Sequence, residues 1–180
     1  MPLLVGIYMD IMTDLSIKIA EAAVPDEIDL APLITEAFIK GGKERESLFV
    51  KQESAGLGAF GLTEVIVLFP WILRGIAVTA PFMHNFVSID ESHLDEAYHL
   101  LGIYHFMGIL DKQERKKKDN PLPEKDAKDL VNLFETFSSE LKTSGLSKEQ
   151  CDRIIANVLF TLRKNPSISS EFVEKLAASK

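Results

Sequence analysis

Cysteine is nearly absent from this chain. Cys151 is the single thiol among 180 residues, which rules out a disulfide within the chain and any zinc site built from several cysteines. Its isolation fits a reducing compartment. No Gly-x-Ser-x-Gly elbow is present, so an esterase-type serine nucleophile has no support. The lone Asn-x-Ser sequence, Asn165-Pro166-Ser167, is blocked for glycosylation by its proline. Basic charge is in deficit, with 20 Lys and Arg against 27 Asp and Glu for a net −7. That balance excludes a nucleic-acid binder working by overall basicity. The first residues, MPLLVGIYMDIM, lack a basic leader, and Asp10 interrupts the apolar run. No secretory signal is expected from them, and the cytoplasm is the expected compartment.

Composition is otherwise that of a globular protein, with enough chain to bury a core. Charge divides unevenly along it. Residues 1–110 hold 15 acids against 6 Lys and Arg, a balance of −9, whereas 111–180 hold 12 against 14, a balance of +2. The charged, proline-containing stretch DKQERKKKDNPLPEKD lies at the change. The organisation this predicts is a unit over 1–110, a linker over 111–124 and a small helical bundle or cap over 125–180.

Leu3–Met12 is rich in Val, Ile, Tyr and Leu and reads as a strand. Leu15, Ile17 and Ile19 alternate with Ser16, Lys18 and Ala20, which favours a second strand, although Glu21-Ala22-Ala23 would suit a helix. Ser47–Glu53 is a third, short strand candidate. Asp29–Lys40 is a helix by its stripe of Leu30, Leu33, Ile34, Ala37 and Phe38, stopped by Gly41-Gly42. Ser88-x-x-Glu91 has the spelling of a capping box and predicts a helix running through Leu94, Ala97, Leu101 and Tyr104.

The C-terminal part is the most clearly patterned. Leu130, Leu133, Phe134, Phe137 and Leu141 share a helix face that Gly145 ends. Ser147-x-x-Gln150 caps the next helix, whose stripe is Cys151, Ile154, Ile155, Val158, Leu159 and Leu162. Glu171–Ala178 forms a short third helix. The expected fold class is therefore α+β, predominantly α. It has short N-terminal strands, a central buried pair of apolar helices and a C-terminal three-helix unit.

Three patterns carry candidate chemistry. Gly56-x-Gly58-x-x-Gly61 spells a dinucleotide-binding turn, in which glycines let the backbone approach a pyrophosphate at a helix N-terminus. The pattern needs an acid about 20 residues further on. Here the first acid at an apparent strand end is Asp90, and Pro70 breaks the following helix, so a close-packed turn is the favoured reading.

The second pattern is Val65–Phe82, an 18-residue apolar run near the lower limit for a spanning helix. Its ten Leu, Ile, Val and Phe residues favour insertion by about 0.3–0.6 kcal/mol each, and Arg74 opposes it by about 2.5–3.5 kcal/mol. Pro70, Gly75 and Thr79 remove the rest of the gain. A buried core segment, with Glu64 and Arg74 as snorkelling or paired ends, is favoured over a membrane insert.

The third pattern surrounds Asp95, Glu96 and His99. Glu96-x-x-His99 has the spacing of a di-iron half-site, and Asp95 shares a helix face with His99. A second Glu-x-x-His is missing. His93, His99 and His105 stand six apart, so on a helix they point about 120° from one another. Acids gathered to complement a helix N-terminus are the simpler account.

The expected function is a non-enzymatic assembly or adaptor protein that binds a protein partner or itself. Trp71, Arg74, Phe82 and the basic run Arg115, Lys116, Lys117 and Lys118 are its expected contact residues. No cofactor is expected and nucleic acid is disfavoured. A membrane-associating effector that shields residues 65–82 when soluble is the second reading. A small nucleotide- or metal-dependent enzyme, using the glycines or Asp95, Glu96 and His99, is the third.

Overall fold

A computed structural model describes residues 2–49, 67–103, 106 and 121–179, with side chains in the first helix from residue 11 onward. The described residues form helices and no strand. The α+β expectation is thereby corrected. Both proposed N-terminal strands belong to one helix, α1 (Pro2–Ala23). Of the third strand candidate, Ser47 ends helix α3 (Gly42–Ser47), and residues 50–53 lie outside the described residues.

The reason is visible in what α1 buries. Met12, Leu15, Ser16, Ile19 and Ala20 are shut off from solvent, an i, i+3, i+4, i+7, i+8 stripe. Ile17, which created the look of strand alternation, lies off that stripe and is half-exposed. Helix α1 packs against α8 (Lys148–Arg163), and Asn157 Nδ2 donates to Ala22 O at 2.7 Å, satisfying a carbonyl in its last turn.

A 3₁₀ turn over Pro25–Leu30 leads into α2 (Ala31–Lys40). The buried face of α2 is Ala31, Ile34, Thr35 and Phe38. The expected stripe is thus rotated: Leu30 and Leu33 are exposed, the latter at 66%. Gly41 and Gly42 both adopt positive φ, 73° and 56°, and turn the chain from α2 into α3.

The described part of the long apolar run forms two short helices, α4 (Phe69–Val78) and α5 (Ala80–Ser88). Pro81 forces the break: it has no N–H to continue the ladder, and its ring would meet the carbonyl four residues back. Thr79 serves both helices. Its hydroxyl donates to Gly75 O at 2.7 Å, and its own carbonyl accepts from Phe82 and Met83 N–H. No described helix is long and apolar enough to cross a membrane. The apolar faces turn inward, with Phe69, Ile72, Leu73, Ile76, Met83 and Phe86 fully buried.

Helix α6 (Glu91–Leu100) starts later and stops earlier than its sequence pattern implies. Asp90 is the residue that caps it, accepting from Ser92 N–H at 2.8 Å. The Ser88 hydroxyl instead donates back to His84 and Asn85 carbonyls, closing α5. Residues 107–120 lie outside the described residues.

Helices α7 (Glu124–Lys142), α8 and α9 (Pro166–Ala178) complete the fold. The Ser147–Gln150 capping box is formed in both directions. The third helix begins at Pro166, five residues before its expected start, with proline at the first helical position. Helix α9 lies at the centre, touching α1, α2, α4, α5 and α8. Helix α7 packs on α4 and α5, so residues of 125–180 and of 1–110 share one continuous core. Arg163, at the end of α8, donates to Val87 O and Ile89 O and ties down the C-terminal end of α5.

Candidate functional site

Helix α4 is positioned from its N-terminus by a residue far away in sequence. The Glu27 carboxylate accepts from Leu68 N–H at 2.7 Å and from Phe69 N–H at 2.8 Å. Pro70 has no N–H, and Trp71 and Ile72 N–H bond to Leu68 O, so the donors of this first turn are all accounted for. Burial, its largest influence, pushes the Glu27 carboxyl above the ordinary range. The two backbone donors oppose that shift, and neighbouring Asp26 adds to it.

Held this way, α4 presents Trp71 and Arg74 one turn apart beside Phe49. The rings of Phe49 and Trp71 meet edge to face at 5.0 Å between centroids, and Phe38 meets Phe49 in the same manner at 6.3 Å. The Arg74 guanidinium lies 5.4 Å from the Phe49 centroid and 5.7 Å from that of Trp71. Such contacts contribute about 0.5–1 kcal/mol each where water reaches them.

On its other side, Arg74 Nε stands 3.0 Å from Glu140 Oε2 of α7. That oxygen is shielded from water, and the pair is too oblique for a hydrogen bond, so the contact is a charge pair. Because 42% of the Arg74 side chain is exposed, the pair is worth no more than about 1 kcal/mol.

A second guanidinium completes the group. Arg45 of α3 lies 4.1 Å from the Phe38 centroid. Its Nη1 donates to Ser179 O, and Ser179 Oγ lies 3.2 Å from the same nitrogen, which joins α3 to the end of α9. Burial, and after it the charge of Arg74, pull Arg45 below its ordinary value, though an arginine so placed stays charged. Among the described residues, the result is an aromatic ladder of Phe38, Phe49 and Trp71 with the Arg45 and Arg74 guanidinium groups and the Glu140 carboxylate.

Trp71 and Arg74, two of the expected contact residues, therefore belong to one cluster. Phe82 is half-buried and packs against the core on α5. Arg115, Lys116, Lys117 and Lys118 lie outside the described residues, as do Gly56, Gly58, Gly61 and Glu64. Arg45, Phe49 and Glu140 carry no local sequence signal that links them to Trp71.

The structure gives the Glu96 carboxylate a structural partner, Leu122 N–H at 2.8 Å, just before α7. Asp95 is exposed and His99 half-buried on α6. Among the described residues, no three His, Cys, Asp or Glu side chains stand close enough to hold a metal ion. Cys151 is fully buried, and burial raises its thiol above the ordinary value, the opposite of what a nucleophile needs.

No family model matches the chain, and no match emerges among curated proteins or solved structures. A functional reading therefore has to come from the residues themselves.

Proposed function

We propose that the chain is a non-enzymatic protein-interaction module whose helical scaffold presents the Trp71–Arg74 face of α4. The observation that carries this reading is the state of Arg74. It uses Nε on Glu140 and lies over two rings, while its side chain stays 42% exposed. Tryptophan and arginine are the side chains most enriched where binding energy concentrates, because each offers a large contact area with a polar handle. Here both are pre-ordered by neighbours, which lowers the entropy cost of association. The membrane-associating reading would require α4 and α5 to leave α7 and α9, exposing Phe69, Ile72, Leu73 and Phe86. It therefore stands behind the interaction reading.

Photo-cross-linking in extracts of the native cells tests this. Benzoylphenylalanine placed at Val78, exposed and one turn beyond Arg74, should give a discrete adduct that Arg74→Gln abolishes. The same probe at exposed Glu174 of α9 should give none. Equal yields from both positions, or none from position 78, would reject the proposal.

A further inference from the structure

The geometry points to an acidic peptide segment of a protein partner as what this face takes, with a side-chain carboxylate seated on Arg74; this rests on the interaction reading above. The cluster holds two guanidinium groups: Arg45 stacks on Phe38, Arg74 faces Phe49 and Trp71, and burial and then the charge of Arg74 pull Arg45 below its ordinary value. Among the described residues, the carboxylate that pairs with Arg74 is that of Glu140. Arg45 spends its contacts within the fold, on Ser179 and on the face of Phe38.

Arg74 differs. Glu140 meets it at Nε, and among the described residues neither terminal nitrogen has a protein acceptor. A guanidinium presents a fork of donors that matches a carboxylate bidentately, so the Nη edge of Arg74 is a ready-made carboxylate acceptor. Phe49 and Trp71 lie beside it, with ring centroids 5.4 Å and 5.7 Å from the guanidinium carbon.

The wider charge distribution supplies selectivity. Residues 1–110 carry 15 acids against 6 Lys and Arg, so an acidic segment meets repulsion over much of this part of the chain and attraction at the Arg45–Arg74 pair. That pattern fixes register more than it adds affinity. Glu140 already occupies one edge of Arg74 and acts as an internal competitor for its charge.

Trp71 is the only tryptophan in the chain, so its emission reports on this site in the full-length protein. The probe is an acetylated, amidated hexaglutamate peptide, with hexalysine and inorganic phosphate as comparisons. A saturable change in Trp71 emission is expected with hexaglutamate and not with hexalysine, weakening as salt is added. Arg74→Gln should abolish it while leaving the far-ultraviolet circular dichroism unchanged. Glu140→Gln removes the competitor and should tighten binding by about two- to fivefold, the equivalent of one half-exposed ion pair.

Absence of a saturable response, an equal response to phosphate, or unchanged or weaker binding in Glu140→Gln would overturn the assignment. The Glu140→Gln result decides the matter even if Arg74→Gln fails to fold. A chain that cross-links a partner through position 78 yet ignores hexaglutamate loses this assignment and keeps the interaction reading. A chain that does neither loses both.

Discussion

Gly75 of α4 lies directly against the ring of Phe137 in α7. A Cβ built on Gly75 would come within 2.1 Å of Phe137 Cε2 and 2.2 Å of Cδ2, distances that no side chain tolerates. Phe137 is fully buried, so its ring has nowhere to retreat. The α4–α7 contact therefore depends on a glycine inside a helix, at a propensity cost of about 1 kcal/mol relative to alanine. Close approach here also sets the distance between Arg74 and Glu140, which sit on the same two helices. Gly75→Ala should destabilise the fold by about 1–3 kcal/mol through overpacking, despite the better helix propensity. Urea denaturation measures it, and Phe137→Leu in the same chain should recover part of the loss. A stabilised Gly75→Ala protein would show that the two helices do not meet this closely.

Glu27 predicts a pH dependence with a definite sign. Its carboxyl is raised in the folded state, chiefly by burial. The stability it contributes is therefore fully present below the ordinary carboxyl value and is lost as pH rises through the raised folded value. Glu27→Gln keeps one acceptor for the first turn of α4 and removes the charge. Its stability relative to the parent should accordingly improve as pH rises from 4 to 8. Glu27→Ala leaves Leu68 and Phe69 N–H without their acceptor and should cost about 1 kcal/mol or more. Thermal melts across that range check both, and a slope of the opposite sign would contradict the assignment.

Thr35 offers a stabilising substitution. It is 3% exposed, and its hydroxyl has no hydrogen-bond partner among the described residues. A buried hydroxyl without a partner loses its hydration and receives nothing in return. Thr35→Val keeps the branched shape and should raise stability by about 0.5–1.5 kcal/mol. Chemical denaturation that shows a loss instead would mean that the hydroxyl is satisfied after all.

Cys151 should behave as an inert core residue. It is fully buried on the inner face of α8, and burial disfavours its thiolate. The native chain should react with a thiol reagent such as dithiobisnitrobenzoate far more slowly than the same chain in denaturant, at neutral pH. Native-state labelling as fast as unfolded labelling would show that α8 opens readily.

Helices α7 and α8 were readable from local pattern because their signals are complete within one element. Leu130, Leu133, Phe137 and Leu141 form a stripe, and all four are buried. Ser147 and Gln150 cap the next helix within a single turn. Helix α1 was not readable in this way. Leu15 and Ile19 satisfy a helical stripe, but with Ile17 they also satisfy a strand's alternation. Leu33 of α2 fitted a helical stripe and yet stands exposed, because Ala31 and Thr35 complete the face that packs.

What the sequence by itself determined is the set of strong helix signals in 124–163 and the turn at Gly41-Gly42, whereas Pro70, expected to break the apolar run, lies in the first turn of α4. The helix signals and the turn rest on backbone constraints and on contacts within a turn or two, which any segment carries with it. The tertiary structure alone decided that α1 is a helix, by packing Met12, Leu15 and Ile19 into the shared core. It alone brought Glu27 to the start of α4, Glu140 to Arg74 and Arg45 to Ser179. Those pairs are separated by 41 to 134 positions, and no local propensity acts over such a span. They exist because the described helices had to bury their apolar faces together, and the charges at the margins took the partners that this packing placed beside them.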